Sequence, residues 1–171
     1  DGDDPDRDVQ TACGERAATR ELGSPNACEG CHAERDAAWA EKAIRSWGRG
    51  RWSERILREG RLVAAARKED WSRLPEMLGY LGEPGRDEIV TVSLVRLLDG
   101  CGDASKWPAL RALAADPSPL VRAAAVTALE ADAGSRDLVI AATRDDLRLV
   151  RVRAAQALGP IDPQTVPEVA R

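Results

Sequence analysis

A chain of 171 residues with a net charge of −4 has room for one ordinary domain, or for a long repeat array with a small appendage. Phosphate binding needs a basic face, so nucleic acid is not an expected partner, and no apolar run is long enough to span a bilayer. Phenylalanine is absent and alanine, leucine and valine dominate the apolar set, which points to closely packed helices and almost no strand: the expected class is all-α.

Residues 1–22, DGDDPDRDVQTACGERAATREL, open with five aspartates in the first eight positions. So much like charge with so little apolar content predicts a solvated, weakly ordered segment. The first residue is aspartate and no secretion signal is visible, so the expectation is a processed protein or a fragment of a longer one.

Residues 23–52 carry the chemistry. Gly23-Ser24-Pro25-Asn26 reads as a helix entry, with Ser24 able to cap and Pro25 suited to the first helical position. Next comes Cys28-Glu29-Gly30-Cys31-His32. Two cysteines separated by two residues and followed at once by histidine form the attachment pattern of a c-type haem. On a helix the two sulfurs lie about one turn apart, within reach of one edge of a flat macrocycle. The imidazole that follows can bind the iron as proximal ligand. His32 is the chain's single histidine. A bare CxxC also fits a redox dithiol, half a zinc site or a disulfide. A zinc site would draw on Cys28, Cys31, His32 and either Cys13 or Cys101. The four cysteines suit an oxidising compartment, and whether Cys13 pairs with Cys101 is open. A thiol-dependent enzyme is disfavoured, because adjacent residues on a helix do not face each other as nucleophile and base must.

The same helix is expected to run, after a bend, to about Trp47. Trp39 then lies two turns beyond His32 on the same face, either against a porphyrin or simply in the core. Gly48 should end it, with Arg49-Gly50-Arg51 as the turn. Arg45, Arg49 and Arg51 are candidates for haem propionates, since a guanidinium forks onto a carboxylate, or else form a solvated face.

From residue 53 to 171 short helices follow one another, with breaks at 82–86, 99–104, 115–118, 132–135 and 159–163. DPSPLVRAAAVTAL from Asp116 and DDLRLVRVRAAQAL from Asp145 align with an offset of 29 residues. That offset places Leu120, Val121, Arg122, Ala125, Ala128 and Leu129 on Leu149, Val150, Arg151, Ala154, Ala157 and Leu158. A weaker copy sets Trp71, Leu74 and Met77 on Trp107, Leu110 and Leu113 with an offset of 36. Helix pairs repeating at this length stack into an α-solenoid, and about four pairs in a curved right-handed stack are expected. The inward positions should be Leu74, Leu78, Val90, Leu94, Leu97, Leu110, Leu113, Val121, Ala125, Leu129, Val139, Val150, Ala154 and Leu158.

The helix pairs built on D-P-x-P-x-V-R-x-A-A around Asp116 resemble HEAT repeats. The stretch TRELGSPNACEGCHAERDAAWAEKAIRSW, residues 19–47, resembles the C-terminal haem segment of bacterial multihaem c-type cytochromes. There a motif like LGTPNACxxCH precedes an A-A-W helix and then HEAT-like repeats. The resemblance implies a haem-binding helical segment followed by a HEAT-like solenoid. It also implies a periplasmic or otherwise extracytoplasmic electron carrier, with one haem c bound through Cys28 and Cys31 and its iron held by His32. Partners would be other redox or membrane-complex proteins docking on the repeat surface, and the chain would be a carrier rather than an enzyme, save for catalysis at an open haem. A HEAT-repeat scaffold with a structural haem is the alternative. The resemblance departs in two places. The family's upstream histidine would fall near Asp8-Val9, where this chain has none, and no second CxxCH is present. The sixth position on the iron is therefore open to Met77, to a ligand from outside the chain, to Lys42, Cys13 or the amine of Asp1, or to nothing. Met77 aligns with a core leucine, which argues for packing.

Overall fold

The structure, a computed structural model, describes residues 21–23, 31, 32, 34–36, 38, 39, 42, 46 and 50–159, the last stretch with side chains from residue 54. Cys28, Arg45 and Arg49, together with Cys13 and the final residues 160–171, lie outside the described residues. Among the described residues every regular element is helical, so the chain is all-α. They fall into two compact units, one ending at Ala64 and the other beginning at Ala65.

Helix α1, Gly50–Arg67, runs across that boundary. The expected turn at Arg49-Gly50-Arg51 is thus already helical by Gly50. In the first unit Glu21 holds Arg61 on α1 through paired bonds of 2.6 and 2.8 Å. Gly60 admits the side chain of Leu22 where a Cβ would collide with it. The end of α1 is closed by two reciprocal bonds, Glu69 N–H to Ala66 O at 3.1 Å and Asp70 N–H to Ala65 O at 3.0 Å. Glu69 sits at φ 56°, the left-handed position such a cap requires and glycine more often fills.

The second unit consists of α2 (Leu74–Leu81), α3 (Glu88–Leu97), α4 (Trp107–Leu113), α5 (Pro119–Ala128), α6 (Arg136–Ala142) and α7 (Arg148–Leu158), with short 3-10 turns between several of them. Local chemistry sets the starts. Asp87 accepts from the N–H groups of Ile89 (2.8 Å) and Val90 (3.0 Å) to cap α3. Ser118 does the same for α5 through Leu120 and Val121, with Pro119 in the first turn. Pro75 and Pro108 open α2 and α4. Helix α3 packs on α5 and α5 on α7, while α4 lies against α5, α6 against α7, and α2 against α4.

The inward set agrees closely with the periodicity. Eleven of the fourteen residues expected inside are buried; Leu78, Val90 and Leu97 are only half-buried. Met77, Tyr80, Val95, Leu98 and Val126 are wholly or almost wholly buried as well. Each such side chain contributes about 1.5–3 kcal/mol of burial.

Charge is also repeated. Arg86 pairs with Asp116, and Arg111 bonds Asp132 (2.9 Å) and the Ser135 hydroxyl (2.8 Å). Arg122 grips Asp145 with two bonds, at 2.8 and 3.0 Å. Each of these links joins residues 21 to 30 positions apart, so the ladder ties each helix pair to the next. Lys106, 4% exposed, points its ammonium at the carbonyls of Leu98 (2.8 Å) and Cys101 (2.5 Å) and lies 4.5 Å from the Trp107 ring centre. A buried cation is satisfied there by the carbonyls that close α3.

Candidate functional site

The helix expected to carry Cys31 and His32 gives way to a turn. Cys31, Glu34 and Arg35 lie in turn or bend conformation, with Arg35 N–H bonded to His32 O at 2.9 Å. Helix resumes at Ala38-Trp39, where the Asp36 carboxylate accepts from the Trp39 N–H at 2.8 Å. Asp36 acts as an N-cap, satisfying a donor that a new helix leaves orphaned. The cap folds the chain back, so Trp39 meets His32 across a turn rather than along a helix face. The two rings lie 5.2 Å apart between centres, tilted by 53°.

The turn leaves its reactive groups accessible. Cys31 is a free, exposed thiol, the His32 side chain is 51% exposed, and Trp39 is 37% exposed. Around them stand Glu34, with a carboxylate oxygen 3.9 Å from His32 Nδ1, and Arg35, whose guanidinium lies 5.6 Å from the Trp39 ring centre. The 3.9 Å separation is too long for a hydrogen bond, so Glu34 faces the imidazole as a nearby charge rather than as a bonded partner. A thiol, an imidazole and a flat indole are thus presented together at the surface of one short turn.

That donor set fits a c-type haem: a thiol for a thioether, an imidazole for the iron, and an indole face able to cover apolar ring surface. Of the other sequence candidates, Met77 is fully buried on α2, where its thioether fills the core. Cys101 is a free thiol, also buried. Among the described residues no three His, Cys, Asp or Glu side chains converge as a metal-binding group, and no helix is long and apolar enough to cross a membrane.

Sequence reasoning missed the Asp36 cap and the Arg–Asp ladder. Both left a signal: an aspartate opens Asp36-Ala37-Ala38-Trp39, and Asp116/Arg122 recurs as Asp145/Arg151 at the 29-residue offset. A second surface feature went unforeseen, a groove of about 850 Å³ across α3, α5 and α7. Ile89, Leu120 and Leu149 give it an aliphatic edge, and Arg96, Glu130 and Arg153 its charge.

Comparison of the chain with protein-family models, with curated proteins and with solved structures returns no match.

Proposed function

We propose that the chain is a monohaem c-type cytochrome that carries electrons, as a subunit or domain of a larger extracytoplasmic redox complex, and that it is a carrier rather than an enzyme. The observation that supports this most is the exposed Cys31–His32–Trp39 grouping inside a CxxCH motif. Cys28 and Cys31 would hold the haem by thioethers and His32 would ligate the iron. When bound, the haem supplies a one-electron couple. The protein's own part is to position it. The Asp36 cap fixes the turn, Trp39 shields one side of the His32 ring, and Arg35 with Glu34 sets the local charge. Arg45 and Arg49 remain proposed partners of the propionates.

The second unit belongs, on this reading, to a HEAT-like solenoid. The support is internal: α4–α5 and α6–α7 are consecutive helix pairs, related by the 29-residue offset and joined by the Arg122–Asp145 contact. Its surface is where other redox or membrane-complex proteins would dock. A scaffold carrying a structural haem is the second reading, favoured by the groove across α3, α5 and α7.

Production in a host that matures c-type cytochromes tests the proposal. The expected result is one iron per chain and a Soret band that shifts on reduction, with His32→Ala converting the spectrum to one lacking the proximal imidazole. One zinc per chain and no visible band would replace this account with a Cys/His zinc site. A haem that cannot be reduced by any small mediator would favour the scaffold reading.

A further inference from the structure

The Arg35 N–H closes a turn on the His32 carbonyl at 2.9 Å, and the residue just inside that closure is Glu34. The turn brings the Glu34 side chain back beside the imidazole, with a carboxylate oxygen 3.9 Å from His32 Nδ1. On the other side the Trp39 ring, 5.2 Å away between centres and tilted by 53°, limits where the imidazole can swing. Asp36 fixes the Trp39 backbone through its 2.8 Å cap. Arg35 completes the group: its Nε is 3.6 Å from the same Glu34 oxygen, and its guanidinium carbon is 5.6 Å from the Trp39 ring centre.

A neutral imidazole carries one proton, and the partner of one nitrogen decides which nitrogen keeps its lone pair. An ionised carboxylate can only accept. Beside Nδ1 it favours the tautomer protonated there, and Nε2 is then the free donor. A histidine without a partner prefers the opposite tautomer. Bringing 3.9 Å down to hydrogen-bond length asks for about 0.7 Å, within reach of side-chain rotation in a glutamate that is 68% exposed. A carboxylate on the second nitrogen also makes a ligating imidazole more electron-rich, which favours the oxidised metal.

We propose that Glu34 is a positioning residue for His32: it holds the proton on Nδ1, leaves Nε2 for the haem iron, and lowers the reduction potential of that iron through the same bond. The inference rests on the haem reading above, since the potential belongs to a bound iron, but the choice of tautomer is already made in the apo chain. Arg35 moderates the effect, because its Nε competes for the same carboxylate oxygen. Asp36 is no substitute for Glu34, as its carboxylate is engaged at the Trp39 N–H.

Two measurements on the full chain test it. In the apo chain, nitrogen-15 shifts of the single histidine report its tautomer while the imidazole is neutral. The wild type should favour Nδ1–H about fivefold more than Glu34→Ala does, with Glu34→Gln, which keeps an acceptor but no charge, in between. In the haem-loaded chain, Glu34→Ala should shift the oxidised-to-reduced ratio about fivefold toward the reduced form, or about 40 mV at 59 mV per tenfold. Arg35→Gln, which removes the competitor, should move both readouts the other way. Glu34 and Arg35 are both exposed, so circular dichroism should show every variant folded. An apo tautomer that ignores Glu34→Ala, or a haem-bearing chain whose potential does not rise in that variant, would overturn the inference and leave the haem reading standing. A chain that acquires no haem would overturn the haem reading and this inference with it.

Discussion

The turn around His32 and the helices after Ala65 differ in what their side chains are committed to. In the second unit most of the large aliphatic side chains are buried, Asp87 and Ser118 cap two of the helices, and the arginines of the ladder are paired across consecutive helix pairs. Around His32 the thiol, the imidazole and the indole face solvent, and the Asp36 carboxylate caps the backbone N–H of Trp39. Exposed reactive groups contribute little to stability; buried unreactive ones contribute most of it. On the proposed reading the chemistry belongs to one region and most of the folding energy to the other, and substitutions can separate the two.

The largest contrast should come from the core. Leu129→Ala is expected to lower stability by about 2–5 kcal/mol, whereas His32→Ala should stay within about 0.5 kcal/mol, both read by urea unfolding of the apo chain. A His32 effect as large as the leucine's would erase the division. Met77→Ala sharpens it: this fully buried residue should cost about 2–5 kcal/mol and leave any haem spectrum unchanged. Loss of a sulfur-to-iron charge-transfer band in that variant would instead make Met77 the distal ligand.

Arg122→Ala should cost about 1–3 kcal/mol, because it leaves the half-buried Asp145 carboxylate without its fork. The bonds from Arg122 hold the Asp145 carboxyl below its usual range, helped by the Leu147 N–H and by the charges of Arg122 and Arg151. The folded value lies below the unfolded one of about 3.9, so the stabilisation is present above that pH and disappears as pH falls through the folded value. Urea midpoints should therefore fall in acid, and more gently in Arg122→Ala. Asp132 is held low in the same direction, first by the Ser135 hydroxyl and then by Arg111. Among the substitutions in the second unit the smallest effect expected is that of Ser118→Ala, about 1 kcal/mol for a lost helix cap.

The two regions were not equally legible in the sequence. Leucine and alanine spacing located the helices of the second unit, and the breaks at 82–86, 115–118 and 132–135 fall between its α-helices. Periodicity placed Leu110, Val121, Leu129 and Val150 inside because a packed helix repeats its buried face every turn. It misjudged Leu78, Val90 and Leu97, which share a helix face with buried neighbours but are only partly covered by the next helix. The turn around His32 has no such period. Asp36 competes locally for the backbone, and one capping side chain outweighs the helix propensity of the alanines beside it. The arginine ladder was visible only as an aligned residue, since the alignment holds the spacing but not the partner reached across it.

The measurement that bears most directly on the division between chemistry and packing is the intact mass of the chain, matured in a haem-attaching host and then extracted with acid acetone. The account predicts that the polypeptide keeps the mass of one haem after extraction and that the Cys28→Ala, Cys31→Ala double variant loses it. A wild-type chain whose pigment washes out entirely, or that never acquires one under conditions where a control c-type cytochrome does, would contradict the account.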